Sequence, residues 1–172
     1  MKLSNFVKLA LPSAVLALGL ISTPASATNT TTTTTMPVTA NVLASCSISA
    51  STLAFGTIPN NPTGPINANT NVTYSCTTGT TVTGITFASN VSGPAFTMKG
   101  TGTDTLVYNL SLDVGYSSFL SSGTLYAPTP SLVFTSNGSS QSLPVYGQIA
   151  QNAAQAASVD NYTDSVTVTF TY

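Results

Sequence analysis

The last nine residues, "DSVTVTFTY", alternate between polar and apolar side chains, and this pattern constrains the fold more than any other feature of the chain. Val166, Val168, Phe170 and Tyr172 occupy every second position, with Ser165 and three threonines between them. A period of two, with β-branched and aromatic residues throughout, predicts a β-strand with one buried face. No segment follows this strand in the sequence, so the pattern alone does not identify the strand that pairs with it.

The same alternation recurs along the chain, between turns rich in Gly, Pro, Asn and Ser. It is longest in "MPVTANVLASCSIS", which exceeds the usual strand length of about five or six residues and could form two consecutive strands. The segment "LAFGTI" predicts a short strand at residues 53–58, and "NVTYSC" and "TVTGITF" predict two more. Repeated short strands separated by turn signals are typical of an all-β sandwich.

Two further segments predict strand pairs joined by tight turns. "FTMKGTGTDTLVYNLSLD" predicts a hairpin whose turn lies at residues 100–104, and "SLVFTSNGSSQSLPVYGQIA" predicts a pair with "NGSS" at its turn. The segment "QNAAQAA" has helical propensity but no apolar stripe, so we expect a loop there with at most one helical turn.

The N-terminal 27 residues have the features of a secretory signal peptide. Two lysines flank the start of an apolar region, and "ASA" places Ala25 and Ala27 at the small-residue positions of a cleavage site. We therefore expect residues 1–27 to be removed; an uncleaved membrane anchor is the alternative. Residues 28–44 begin with the polar run "TNTTTTTT" and are expected to form a flexible Thr-rich extension. Residues 45–172 are expected to form one domain with its own core.

The chain after residue 27 carries almost no charge, which excludes several classes of function. One lysine, Lys99, and four aspartates give its side chains a net charge of −3. Binding to nucleic acid or to an anionic membrane surface needs clustered Lys or Arg, so we expect neither partner. So little charge is unusual for a free soluble monomer and fits a subunit of an assembly.

The residue types that most catalytic and metal sites require are also missing. The chain contains no His, Arg, Glu or Trp. Serine catalysis therefore lacks its usual base, and no loop has the dense acidic spacing of a calcium site. Asp160 and Asp164 lie close together in "DNYTD", where turn-forming aspartate is ordinary. We therefore expect no enzyme activity, no catalytic residue, no cofactor and no metal.

The two cysteines, Cys46 and Cys76, both follow the predicted signal peptide. In a secreted protein such a pair predicts a disulfide, here between the first strand and the next long one. A metal pair or a reactive thiol is the alternative, although no His is present to complete a metal site. In the chain-entropy view, closing a ring of about 31 residues stabilises the fold by roughly 3–4 kcal/mol.

Five segments, taken in order, resemble the Spore Coat Protein U domain family: "VTANVLASCSISASTLAFGTI", "NVTYSCTTGT", "LVYNLSLD", "LPVYGQIA" and "NYTDSVTVTFTY". The family pattern is an alternating strand into a cysteine, then L-x-F-G, V-x-C-x-x-G, Y-x-L, V-Y-G-x-I and Y-x-D-x-V-x-V-x-x-x-Y. The matching positions are Cys46, Leu53, Phe55, Gly56, Val72 or Tyr74, Cys76, Gly79, Tyr108, Leu110, Val145, Tyr146, Gly147, Ile149, Tyr162, Asp164, Val166, Val168 and Tyr172. The chain departs from the pattern at Met98–Lys99, where the family often has an arginine, and at "VGYSSF", where it often has a Trp-Gly pair.

The resemblance implies a subunit of archaic, Csu-type chaperone–usher pili, with an incomplete immunoglobulin-like β-sandwich that lacks its last strand. In this pathway a periplasmic chaperone lends a strand, which an outer-membrane usher then exchanges for the N-terminal segment of the next subunit. We expect the region around Thr34–Ala44 to be that donor strand, with these side chains filling the neighbour's groove: Met36, Val38, Ala40 and Val42. The acceptor groove is expected to be lined by Val166, Val168, Phe170 and Tyr172.

The implied function is that of a structural pilus subunit that is secreted through the periplasm to the cell surface. It would polymerise head to tail with copies of itself or with related subunits, and support surface attachment and biofilm formation. A secreted surface-binding adhesin module, or a spore or cell-surface coat protein of the same fold, is the alternative. For Met36–Ala44, the alternative is an edge strand of the chain's own domain.

Overall fold

The computed structural model describes residues 27–59, 61–130 and 132–172. The predicted signal peptide lies outside these residues, apart from Ala27. The chain divides after Thr39, and the larger unit comprises Ala40–Tyr172. Within the described ranges, no helix is both long enough and apolar enough to cross a bilayer.

Strands of two to eleven residues provide most of the regular structure of the larger unit. The elements are β1 (Cys46–Ala50), β2 (Ile66–Cys76), β3 (Gly84–Ala88), β4 (Phe96–Lys99), β5 (Thr105–Ser111), β6 (Leu125–Tyr126), β7 (Gln141–Ile149), α1 (Gln151–Ala156) and β8 (Thr167–Thr171). Residues 27–45 belong to no strand or helix. The long alternating segment before Ala50 therefore contributes one strand, β1, rather than two.

The strands form two sheets in which every pairing is antiparallel. The larger sheet has the strand order β1-β2-β7-β5-β4, and the smaller sheet has the order β6-β3-β8. Two antiparallel sheets of this kind confirm the predicted all-β, immunoglobulin-like fold class.

The core is formed by alternate residues on the inward faces of the strands. Phe170 of β8 is buried, and its ring packs against Tyr74 and Phe134 at centroid distances of 4.7 and 4.9 Å. Val166 and Val168 follow the same alternation but are only half-buried. The inward face of the last strand is therefore covered at its end and left partly open near its beginning.

One of the two predicted strand pairs is present. Strands β4 and β5 form the predicted hairpin, and the Gly100 N–H donates to the Asp104 carbonyl across its turn at 2.9 Å. The prediction of the second strand pair was wrong, because only the second arm of that pair forms a strand, β7. In the first arm Phe134 packs on the core aromatics instead. The turn binds the end of β2, where the Gly138 N–H donates to the Cys76 carbonyl at 3.1 Å.

The single described helix, α1, is somewhat longer than the one turn expected from the sequence. Ala154 is its buried residue, and the side-chain amides of Gln151 and Gln155 donate to the Pro62 carbonyl at 3.0 and 3.2 Å. Because helices this short gain little from propensity, these tertiary contacts account for the helix.

A disulfide joins Cys46 of β1 to Cys76 of β2, the pair that the sequence predicted. The two residues are direct cross-strand partners, with their Cα atoms 4.1 Å apart. Strand β1 lies at the edge of the larger sheet, so the bond ties an edge strand to its neighbour.

Replacing both cysteines, in Cys46→Ser/Cys76→Ser, should lower the free energy of unfolding by about 3–4 kcal/mol, because the unfolded chain regains the freedom that the ring removes. Denaturant unfolding of the oxidised protein and of the variant measures this difference. Added reductant should destabilise the parent protein and leave the variant unchanged. Equal unfolding midpoints for parent and variant would show that the bond does not stabilise the fold.

Candidate functional site

An open groove lies between the two sheets on the side where each has an unpaired edge. Strand β8 pairs with β3 along one edge, and no described strand pairs with its other edge. Strand β1 is likewise the last strand of the larger sheet. A cavity of about 550 Å³, here called the groove, is lined by the end of β1 and the residues that follow it, by residues 162–166 ahead of β8 together with Val168 of β8, and by the inward faces of both sheets.

The groove has two walls and an apolar floor. The first wall comprises residues 50–55, and the second comprises residues 162–168. The floor is formed by buried side chains from β2, β3, β5 and β7, namely Val72, Phe87, Tyr108, Leu110 and Val145. An apolar side chain that enters between the walls therefore meets other apolar side chains.

Beyond Ser51, whose N–H donates to the Asn71 carbonyl of β2 at 3.1 Å, the first wall is held by side-chain packing rather than by strand pairing. The prediction of a short strand at residues 53–58 was wrong, because this segment has no strand structure. A Cβ atom at Gly147 would lie 2.7 Å from Leu53 Cδ2 and 2.8 Å from Phe55 Cζ. Since glycine has no Cβ, both side chains can pack directly against the backbone of β7.

Asp164 anchors the second wall through its carboxylate. It accepts hydrogen bonds from the Tyr108 hydroxyl at 2.7 Å, the Ser89 hydroxyl at 2.8 Å and the Asn90 N–H at 3.3 Å. Tyr108 lies in β5 of the larger sheet, whereas Ser89 and Asn90 directly follow β3 of the smaller one. Asp164 therefore connects the segment before β8 to both sheets.

Tyr108 is a floor residue that contacts both walls. Its hydroxyl donates to Asp164, and its ring packs edge-on against Phe55 at a centroid distance of 5.8 Å. Burial raises the pKa of Tyr108, and the hydrogen bond to Asp164 and the negative charge of that carboxylate raise it further. The phenol therefore stays protonated and remains a hydrogen-bond donor at neutral pH.

A second cavity, of about 700 Å³, adjoins the groove. The two share Leu53, Phe55, Met98, Tyr162 and Thr163. The second cavity continues along residues 53–59 and residues 157–163 to α1. Open space therefore extends beyond the beginning of β8.

The structure places two of the four residues predicted for an acceptor groove, Val166 and Val168, in the groove. Phe170 lies in the core, and Tyr172 is 53% exposed. Two residues that hold the walls, Asp164 and Tyr108, were not among the predicted site residues. Both belong to the positions that match the family pattern, which is the signal that could have identified them.

The residues predicted to form a donor strand lie in the segment without regular structure. Met36 and Val38 are each 81% exposed, Val42 is 78% exposed, and Ala40 is exposed as well. The alternative for Met36–Ala44 was an edge strand of the same domain. The structure has no such strand, because residues 27–45 belong to no strand. This segment thus presents apolar side chains at every second position to solvent.

The sequence pattern of the Spore Coat Protein U domain matches residues 32–169, which is most of the chain. This chain belongs to the Spore Coat Protein U domain family. No curated protein matches it. The Spore Coat Protein U domain family comprises structural subunits of chaperone–usher pili and of coats rather than enzymes, and its members are surface components. The general role of a surface pilus or coat subunit follows from this membership.

Tyr108 should make the protein lose stability at alkaline pH. Because its pKa is above the ordinary value of 10.0 in the folded protein, the unfolded chain releases this proton first as the pH rises. The contribution of Tyr108 to the free energy of unfolding is therefore complete below about pH 10 and declines above that pH. Tyr108→Phe should flatten this decline when the free energy of unfolding is measured between pH 8 and pH 12. An equally steep decline in the variant would contradict the assignment.

Proposed function

We propose that this protein is a pilus subunit that polymerises by donor-strand exchange, with Met36–Ala44 of one copy bound in the groove of the next. One observation carries the proposal. The same chain has an apolar groove beside a strand edge that no described strand covers, and an exposed segment with apolar residues at every second position. The two features are complementary in chemistry and in periodicity.

The free edge of β8 supplies the backbone part of the interaction. An exposed strand edge carries unpaired N–H and C=O groups, which soluble proteins normally cover or disrupt. A strand added along this edge would satisfy those groups, and each hydrogen bond would contribute about 1 kcal/mol. The wall residues Val166 and Val168 would then become fully covered.

The donor segment suits the floor of the groove. A strand rises about 3.3 Å per residue, so the alternate residues from Met36 to Val42 would place four side chains over about 20 Å. These side chains would face the buried floor residues, while Thr39 and Asn41 would face outward. Burying three or four such side chains would contribute roughly 4–10 kcal/mol before ordering costs are subtracted.

Head-to-tail exchange of this kind produces a fibre. The donor surface and the acceptor surface are different parts of the chain, so each copy can bind two others without closing a ring. The low net charge of residues 28–172 supports this arrangement, because little repulsion opposes close packing of copies.

The proposed route begins with removal of residues 1–27 as a signal peptide. A periplasmic chaperone would cover the groove, and an outer-membrane usher would exchange the chaperone strand for the donor of the next subunit. Residues 28–35 would be a flexible extension ahead of the donor strand. The finished fibre would lie at the cell surface and support attachment and biofilm formation.

Aspartate at the inward donor positions should prevent assembly. In Val38→Asp/Val42→Asp, each new carboxylate would be buried in the groove without a partner, which costs several kcal/mol. The matched control, Thr39→Asp/Asn41→Asp, adds the same charge at the outward positions and should still assemble. Co-expression with a chaperone and an usher, followed by electron microscopy of surface material, compares the two.

We expect fibres from the parent and from the outward control, and no fibres from the inward variant. Fibres from all three would show that Met36–Ala44 is not the donor. An amorphous or layered coat from the parent chain, instead of fibres, would favour a coat protein of the same fold over a pilus subunit.

A further inference from the structure

The groove can accept a strand only if its two walls are held apart at the right distance before the strand arrives. Neither wall is fixed by regular strand pairing over its full length. Pairing between β8 and β3 begins at Thr167, opposite Ala88, so Asp164–Val166 lie beyond it. The first wall after Ala50 has no strand structure at all in the described chain.

Two contacts hold the segment that leads into β8. Thr163 forms a bridge with Lys99 of β4, with backbone hydrogen bonds of 2.8 and 2.9 Å. Asp164 then accepts its three hydrogen bonds, of which the Tyr108 bond is the shortest. The bridge fixes the backbone at Thr163, the residue before Asp164. The position of the wall residues after Asp164 therefore depends on the hydrogen bonds of the Asp164 carboxylate.

The Asp164 carboxylate is not balanced by a cation. Lys99 is the single basic side chain of residues 27–172, and no ion pair with Asp164 is present among the described residues. Asp164 depends on directed hydrogen bonds from Tyr108, Ser89 and Asn90, and Ser89 is itself held because its N–H donates to the Ser122 hydroxyl at 2.9 Å. Hydrogen bonds to an ionised carboxylate are short and strong, so three of them from two sheets define the position of Asp164.

The other side of Tyr108 contacts the first wall. Its ring packs against Phe96 at a centroid distance of 5.7 Å and against Phe55 at 5.8 Å, and Phe55 in turn packs on Gly147. One rigid side chain on the floor therefore touches a residue in each wall. Its hydroxyl determines the place of one wall, and its ring supports the other.

We propose that the Tyr108–Asp164 hydrogen bond positions both walls of the groove and so prepares it to receive a donor strand. Both are positioning residues that act through the walls, and this inference rests on the proposed function. A groove that is already ordered binds its strand more tightly, because fewer residues must be ordered on binding. Loss of the bond should therefore weaken retention of the donor.

The test uses the full chain with its own donor disabled by Val38→Asp/Val42→Asp. This chain is refolded with a fluorescent peptide of residues Thr34–Ala44, and release of the peptide is followed after excess unlabelled peptide is added. Tyr108→Phe keeps the ring and removes the hydroxyl, whereas Asp164→Asn keeps the shape and removes the charge. Each should accelerate release about tenfold or more, as expected for loss of a hydrogen bond to a charged group.

Asp113→Asn is the matched control. Its carboxylate also accepts hydrogen bonds from a nearby residue, the N–H and hydroxyl of Ser117 at 3.1 and 2.6 Å, but it lies outside the groove. Release from this variant should match that from the parent. In the Asp164→Asn background, Tyr108→Phe should accelerate release of the peptide by a smaller factor than it does alone, because the two residues share one hydrogen bond.

A second readout covers the case in which a variant folds poorly. With the peptide copy fused to the chain through a flexible linker, amide hydrogen exchange at Val166 and Val168 should be faster in Tyr108→Phe and in Asp164→Asn than in Asp113→Asn. Equal release and equal exchange in all variants would overturn the positioning role alone. Failure of the parent groove to bind the peptide at all would instead overturn the proposed function.

Discussion

The unpaired edge of β8 is the constraint on which the rest of the structure depends. Backbone N–H and C=O groups need partners, and along one edge of β8 no strand of the described residues provides them. The smaller sheet has three strands against five in the larger sheet, so it leaves part of the inner face uncovered. Val166 and Val168 are half-buried at the uncovered part of the inner face, and the buried floor residues give this part an apolar surface.

The supports around the groove divide between the two sheets. The disulfide fixes β1 at the edge of the larger sheet, Gly147 lets Leu53 and Phe55 pack against β7, and the Asp164 hydrogen bonds fix the start of the second wall. Among the described residues that line the groove, Asp164 is the single charged side chain, and its hydrogen bonds are directed into the protein. Recognition in such a groove must come from strand pairing and apolar burial, and charge attraction contributes little.

Features that depend on local periodicity could be predicted from the sequence. The alternation at residues 166–170 correctly predicted a strand and its inward face, and the cysteine pair predicted the cross-strand disulfide. The wrong predictions have long-range causes. The segment at residues 53–58 packs on Gly147, and Phe134 joins Tyr74 and Phe170 in the core. Asp164 resembled an ordinary turn residue because its partners, Tyr108 and Ser89, are distant in sequence.

The most direct test of the account is a fusion in which a copy of Met36–Ala44 follows Tyr172 through a short Gly/Ser linker, in a chain whose own donor carries Val38→Asp and Val42→Asp. If the groove lacks a strand, the added copy should fill it from within. Size-exclusion chromatography should then show a soluble monomer, with a Tm well above that of the same chain without the added copy. A chain that is already monomeric and equally stable without the addition would mean that the sandwich is complete by itself.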